Sequence, residues 1–129
     1  MPREGRAFEE GRIYHVFNRV AGGLKPFEDD GLAAVFVGLL RKVTERDGLT
    51  VLAWALLGNH YHLVLRQGAA PLSRSMKTLQ QGVTRARNLR DRVYGPLWQG
   101  RFKAKEVADE RIGTGNSARH SRTVPGTHI

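Results

Sequence analysis

Residues 49–66 read LTVLAWALLGNHYHLVLR, and this stretch constrains the fold more than any other. Its first half, Leu49 to Leu57, is apolar almost throughout and carries strand formers at Val51 and Trp54. It falls well short of the roughly 18 apolar residues that a bilayer-spanning helix needs, so a strand buried on both faces is expected. Gly58-Asn59 is a turn dipeptide, and His60 to Arg66 resumes a strand pattern. The two runs predict an antiparallel hairpin, which commits the chain to a sheet that must bury one face.

The flanking segments supply the rest of that sheet and its cover. Ile13 to Val20 mixes β-branched and aromatic residues and breaks at Ala21-Gly22-Gly23, as a first strand would. Glu28, Asp29 and Asp30 offer an N-cap and an acidic first turn, after which Leu32, Val35, Phe36, Leu39, Leu40 and Val43 recur at helical spacing until Gly48. Pro71 opens a second helix, with Leu72, Met76, Leu79, Val83 and Ala86 on one face and Arg74, Lys77, Gln81 and Arg85 on another. Tyr94-Gly95-Pro96 then turns the chain into Leu97 to Val107, a short last strand broken at Gly100.

The resulting order, β-α-β-β-α-β, predicts an α+β, ferredoxin-like sandwich: an antiparallel sheet with both helices on one face and the other face open for function. Its expected extent is residues 1–110, one domain. Residues 111–129 turn to Gly, Ser, Thr and Arg without a period, and a disordered or degenerate tail is expected there.

Charge identifies the kind of partner. The net charge is +9, and residues 71–129 hold twelve Lys/Arg against four Asp/Glu, or +8 of it. The basic stripe on the second helix has almost no acidic neighbours at i±3 or i±4 that would neutralise it. Such clustering points to a polyanion, and nucleic acid is favoured over an anionic membrane because no strongly apolar helix face accompanies it. With no cysteine, disulfides and thiolate metal sites are excluded. The charged start from Met1 to Glu10 lacks an apolar core, so a cytoplasmic protein is expected.

Strand periodicity places the chemistry. Tyr61, Leu63 and Leu65 suit the helix-covered core, so His60, His62 and Val64 point to the open face. Two imidazoles at i and i+2 start roughly 7 Å apart and can converge on one divalent cation if a third ligand arrives. A His-x-His strand alone is a weak signal. His15, on the neighbouring strand, fits either the metal side or an ordinary hydrogen bond.

The string Leu57-Gly58-Asn59-His60-Tyr61-His62-Leu63-Val64-Leu65 resembles the HUH strand of the single-tyrosine insertion-sequence transposases. It is most similar to the branch associated with repetitive extragenic palindromes. Tyr14 to Arg19 looks like that branch's first strand, Phe27-Glu28-Asp29-Asp30 like its first helix start, and Gly95 to Ala104 (GPLWQGRFKA) like its Gly-x-Leu-Trp-Gln-x-Arg-Tyr/Phe block. The blocks follow the family's order across roughly residues 10 to 108.

The resemblance implies that His60 and His62 hold magnesium or manganese at the scissile phosphate of single-stranded or hairpin DNA. Softness favours manganese on imidazole. A tyrosine on a later helix would attack the phosphorus, leaving a phosphotyrosine and a free 3'-hydroxyl. Arg19, Arg74, Lys77, Arg85, Trp98, Arg101 and Lys103 would contact the nucleic acid. The sequence departs from the pattern at the nucleophile, since no tyrosine follows Tyr94. Tyr94 precedes a turn and makes a poor substitute, and a truncated or frame-altered copy is expected. Family members also pair as dimers that exchange tyrosines, so a homodimer is a further expectation.

Two other readings compete. A non-catalytic single-strand-binding module or repressor would use the aromatics Tyr14, Phe17, Trp98 and Phe102 beside Arg19, Arg101 and Lys103 to stack bases. The Arg-Gly-Phe strand motif of common RNA-binding modules is missing. A metal-dependent hydrolase of small substrates would use the histidines but leave the basic half unexplained.

Overall fold

The computed structural model describes residues 8–107. Its elements run β1 (Ile13–Arg19), α1 (Asp30–Asp47), β2 (Thr50–Leu56), β3 (His60–Arg66), α2 (Leu72–Asp91) and β4 (Lys103–Val107), with 3-10 turns at Ala21–Gly23 and Pro26–Glu28. The strands form one antiparallel sheet in the order β2-β3-β1-β4. This is the ferredoxin-like α+β sandwich that the element order predicts. The expected tail, residues 111–129, lies outside the described residues, as do His120 and His128.

Local chemistry sets the boundaries. Asp29 caps α1 by accepting from the Leu32 amide at 2.9 Å, and Gly48 ends the helix in the left-handed conformation that glycine adopts without strain. Leu32, Phe36, Leu40 and Val43 of α1 and Leu72, Met76, Leu79 and Val83 of α2 meet Tyr61, Leu63 and Leu65 of β3 in one core. Tyr61, Leu63 and Leu65 are fully buried, as the period of two requires.

Two expectations need correction. The run Leu49 to Leu57 is buried on both faces over only part of its length: β2 is the sheet edge, and Ala53, Trp54, Ala55 and Leu56 are all buried, whereas Thr50 is exposed and Val51 and Leu52 are half-buried. A register shift between Val51 and Ala53 lets Leu52 and Ala53 join Ile13, Val64 and Val107 in a second cluster on the face opposite the helices. That face is therefore apolar at one end, and only the other end is polar. The second correction concerns stacking. Tyr14 and Phe102 are core residues, 4% and 6% exposed, and cannot stack bases.

A buried acid ties the helices together. Asp47, in the last turn of α1, accepts from Ser75 Oγ at 2.6 Å and from Arg46 Nε and Nη2 at 2.7 Å each. The bonds from Arg46 are the largest cause of an Asp47 pKa held below the ordinary 3.8, with Ser75 adding to the effect and burial opposing it. A depressed carboxylate pKa stabilises the fold fully above the unfolded value and is lost as pH falls through the native value. Asp47→Asn should therefore cost about 1–3 kcal/mol at neutral pH and flatten the fall in stability below the unfolded pKa. Urea titrations from pH 7 to pH 2 measure both; a variant that keeps the wild-type acid slope contradicts the assignment.

Candidate metal centre and nucleic-acid interface

The polar end of the open face is built where β1 meets β3. Register pairs Arg19 with His60 and Phe17 with His62, so alternation puts all four side chains on the face away from the helices. The His60 and His62 rings lie 5.1 Å apart between centroids, edge to face. His15 stacks on His62 at 5.2 Å, and Phe17 does so at 5.9 Å.

Hydrogen bonds orient both imidazoles. Asn59 Oδ1 lies 2.8 Å from His60 Nδ1, and His15 Nε2 lies 3.0 Å from His62 Nδ1. An amide oxygen only accepts, so His60 carries its proton on Nδ1 and turns a lone pair outward on Nε2. With the His62 proton likewise on Nδ1, donated to His15, His62 also offers Nε2. This is the arrangement of metal-ligating histidines, in which a partner at one nitrogen fixes the donor at the other. Burial, and then the nearby Arg19 charge, hold the His60 pKa below its ordinary 6.5, which keeps the ring neutral.

A pocket of about 300 Å³ opens over this pair, lined by Phe17, Asn18, Arg19, His60, His62, Gln99 and Lys103. Gln99 and Lys103 reach it through an irregularity in the last strand. Val20 bridges Trp98, and the Gln99 amide donates to Arg19 O at 2.8 Å, so Gln99 lies beside Arg19. Pairing resumes only at Lys103 with Phe17. One residue of β1, Asn18, thus faces three, Gly100 to Phe102, and its side-chain amine bonds Gly100 O at 2.9 Å. The expected break at Gly100 is this bulge. Gln99 is a pocket residue that the sequence pattern does not single out.

A second, larger hollow of about 1050 Å³ runs along α2 beneath residues 93–102. Lys77, Arg85, Trp98 and Arg101 line it, while Arg19 and Lys103 belong to the histidine pocket. Arg74 lines neither, and its charge acts on Asp47 instead. Trp98 is half-buried, edge-on to Tyr61, with its indole N–H donating to Gln80 O at 3.0 Å. Tyr94 is 95% exposed and lines neither cavity.

Among the described residues no group of three or more His, Cys, Asp or Glu side chains converges as a metal cage. The sheet itself offers two imidazoles, those of His60 and His62. No described helix is long and apolar enough to cross a membrane.

No protein-family model matches the chain, and no curated protein does. Solved structures do, and the fold they share with it is that of transposases. A REP-associated tyrosine transposase bound to a REP hairpin superposes with a TM-score of 0.73 at 14% identity, over 89% of this chain and 67% of that one. A transposase candidate from Deinococcus radiodurans R1 gives 0.58 at 18% identity, over 93% of this chain and 98% of its own.

Proposed function

We infer that this chain is a metal-assisted DNA-binding domain of the single-tyrosine HUH transposase kind, acting on single-stranded or hairpin DNA. The observation that carries the reading is the oriented pair His60 and His62 in a pocket rimmed by Arg19 and Lys103. The hairpin-bound state of the REP-associated transposase supports a DNA partner of the same kind here.

The residues present fit a divalent cation in their donor chemistry. His60 and His62 would hold magnesium or manganese through Nε2, and the bound ion would supply Lewis acidity to a phosphate oxygen. Arg19 and Lys103 hold the flanking phosphates. Asn59 and His15 keep the two rings in their donor tautomers, and Phe17 walls one side of the pocket. The remaining ligand and the attacking tyrosine come from outside residues 8–107, and a tyrosine-bearing partner in a mixed dimer would provide the second.

The chain by itself reads best as a binder. No tyrosine follows Tyr94, and Tyr94 does not line the histidine pocket. This favours the second reading, a single-strand-binding module or competitor of a cutting relative, for the isolated chain.

The interface is tested by salt. On single strands, removing one bound phosphate from the interface lowers the slope of log K against log salt by about 0.7. Replacing both Arg19 and Lys103 with Ala should therefore lower the slope by about 1.4 on a hairpin oligonucleotide with a single-stranded flank. An unchanged slope moves the DNA off this pocket.

A further inference from the structure

The hollow along α2 is separate from the histidine pocket, and its lining is unbalanced. Three cations, Lys77, Arg85 and Arg101, face it without a carboxylate, and none of them forms an ion pair among the described residues. Its floor is apolar, made by Leu97, Trp98 and Phe102. Of these, Leu97 and Phe102 are buried and Trp98 is half-buried, so cations beside one accessible indole suit a strand that carries phosphates on one edge and bases on the other. The chain's own residues after 107 fit less well, because Arg111, Arg119 and Arg122 outnumber Asp109 and Glu110.

One polar group in the hollow has a fixed orientation and unused capacity. The Arg19 amide donates to Asn18 Oδ1 at 2.8 Å, so the other side-chain atom of Asn18 is its amine. That amine donates to Gly100 O and to Gln80 Oε1, both at 2.9 Å, and the Tyr61 hydroxyl also donates to Gln80 Oε1 at 2.6 Å. The acceptor end of Gln80 is thus committed. Its amine keeps two donors that meet no acceptor among the described residues, and Gln80 lines the hollow.

The hollow and the pocket share a wall. Asn18 lines the pocket, Gln80 and Gly100 line the hollow, and the bonds just described join them. Gln99 and Lys103 face the pocket while Gly100, Arg101 and Phe102, between them in sequence, line the hollow. The bulge is thus the shortest link between the two cavities, and a strand held at His60 and His62 would cross it to reach the α2 hollow.

The geometry points to the hollow as a base-reading site for unpaired nucleotides, with Lys77, Arg85 and Arg101 on the phosphates and the Gln80 amine on the acceptor edge of a base. The chemical class is an unpaired thymine or guanine, whose O4, or O6 and N7, accept where the cytosine N4 amine donates. The assignment rests on the reading of the chain as a single-strand DNA binder and names the part of the strand that carries sequence preference.

Fluorescence anisotropy with labelled dT and dC oligonucleotides tests it. Wild-type protein should favour dT by about tenfold. Gln80→Glu keeps an acceptor oxygen toward Asn18 and Tyr61 while removing the donors, and should abolish or invert that preference. The exposed pair Lys77→Glu with Arg85→Glu should weaken both oligonucleotides alike. Ultraviolet crosslinking of wild-type protein to dT needs no variant to fold, and its adducts should map to residues 77–102.

An unchanged dT/dC ratio in a folded Gln80→Glu protein overturns the proposal, as do adducts confined to the histidine pocket. Displacement of dT by polyglutamate, with no base preference at all, shows a site for acidic peptides and overturns it too. If the Arg19 and Lys103 variant loses DNA while the α2 variants do not, the base-reading site fails and the proposed function stands. Absence of DNA binding in every protein, wild type included, removes both.

Discussion

Incubated with manganese and a labelled hairpin oligonucleotide, the 129-residue chain should bind the DNA and leave it uncut and unattached. The reason is positional. A metal ion held by His60 and His62 would polarise a phosphate, yet attack needs an oxygen nucleophile in line, and positioning such a group supplies roughly 7 to 11 kcal/mol of the barrier. Each 1.36 kcal/mol is tenfold in rate, so its loss slows the reaction by about five to eight orders of magnitude. Tyr14 and Tyr61 are buried at 4% and 0% exposure on the helix side of the sheet, and Tyr94 stands in solvent outside the pocket. A denaturing gel should show neither a shortened strand nor a protein-DNA adduct, and Tyr94→Phe should behave as wild type. A covalent adduct that disappears in Tyr94→Phe would make Tyr94 the nucleophile and the chain a cutter rather than a binder.

The second large effect concerns His15. Its Nε2 sits 3.0 Å from His62 Nδ1, and the two rings stack at 5.2 Å. With the shared proton on His62 Nδ1, His15 would fix which nitrogen His62 presents without itself being a ligand. Partners of this kind typically contribute 10- to 100-fold in metal affinity. His15→Ala should weaken manganese binding by about that factor and leave the fold intact, since His15 is half-buried on the open face. Circular dichroism reports the fold and calorimetry the affinity. Unchanged affinity would show that the contact orients nothing; complete loss would make His15 a ligand.

The sequence exposes some parts of this arrangement and hides others for physical reasons. The facing of His60 and His62 is legible because a strand alternates strictly and Tyr61, Leu63 and Leu65 have one place to go. The limits of α1 are legible because Asp29 and Gly48 act through local backbone geometry. β2 was legible only over Ala53 to Leu56, because apolarity reports burial but not position in a sheet, and the Val51/Ala53 shift sends Leu52 and Ala53 to a small cluster of their own. Gln99 was hidden because the bulge at Gly100 to Phe102 decides what its neighbours face. Gln80 was hidden because its role rests on Asn18, sixty-two residues away in sequence. The basic stripe divided because Lys77 and Arg85 border residues 93–102 across the hollow, whereas Arg74 lines neither cavity and its charge acts on Asp47.

The central claim is that His60 and His62 form a divalent-metal site. Calorimetric titration of manganese into wild-type protein and into the double variant His60→Ala, His62→Ala, at about pH 7.5 where imidazole is neutral, tests it most directly. Saturable binding by wild type and none by the double variant, with both proteins folded, is the expected result. Equal binding by the two would contradict it.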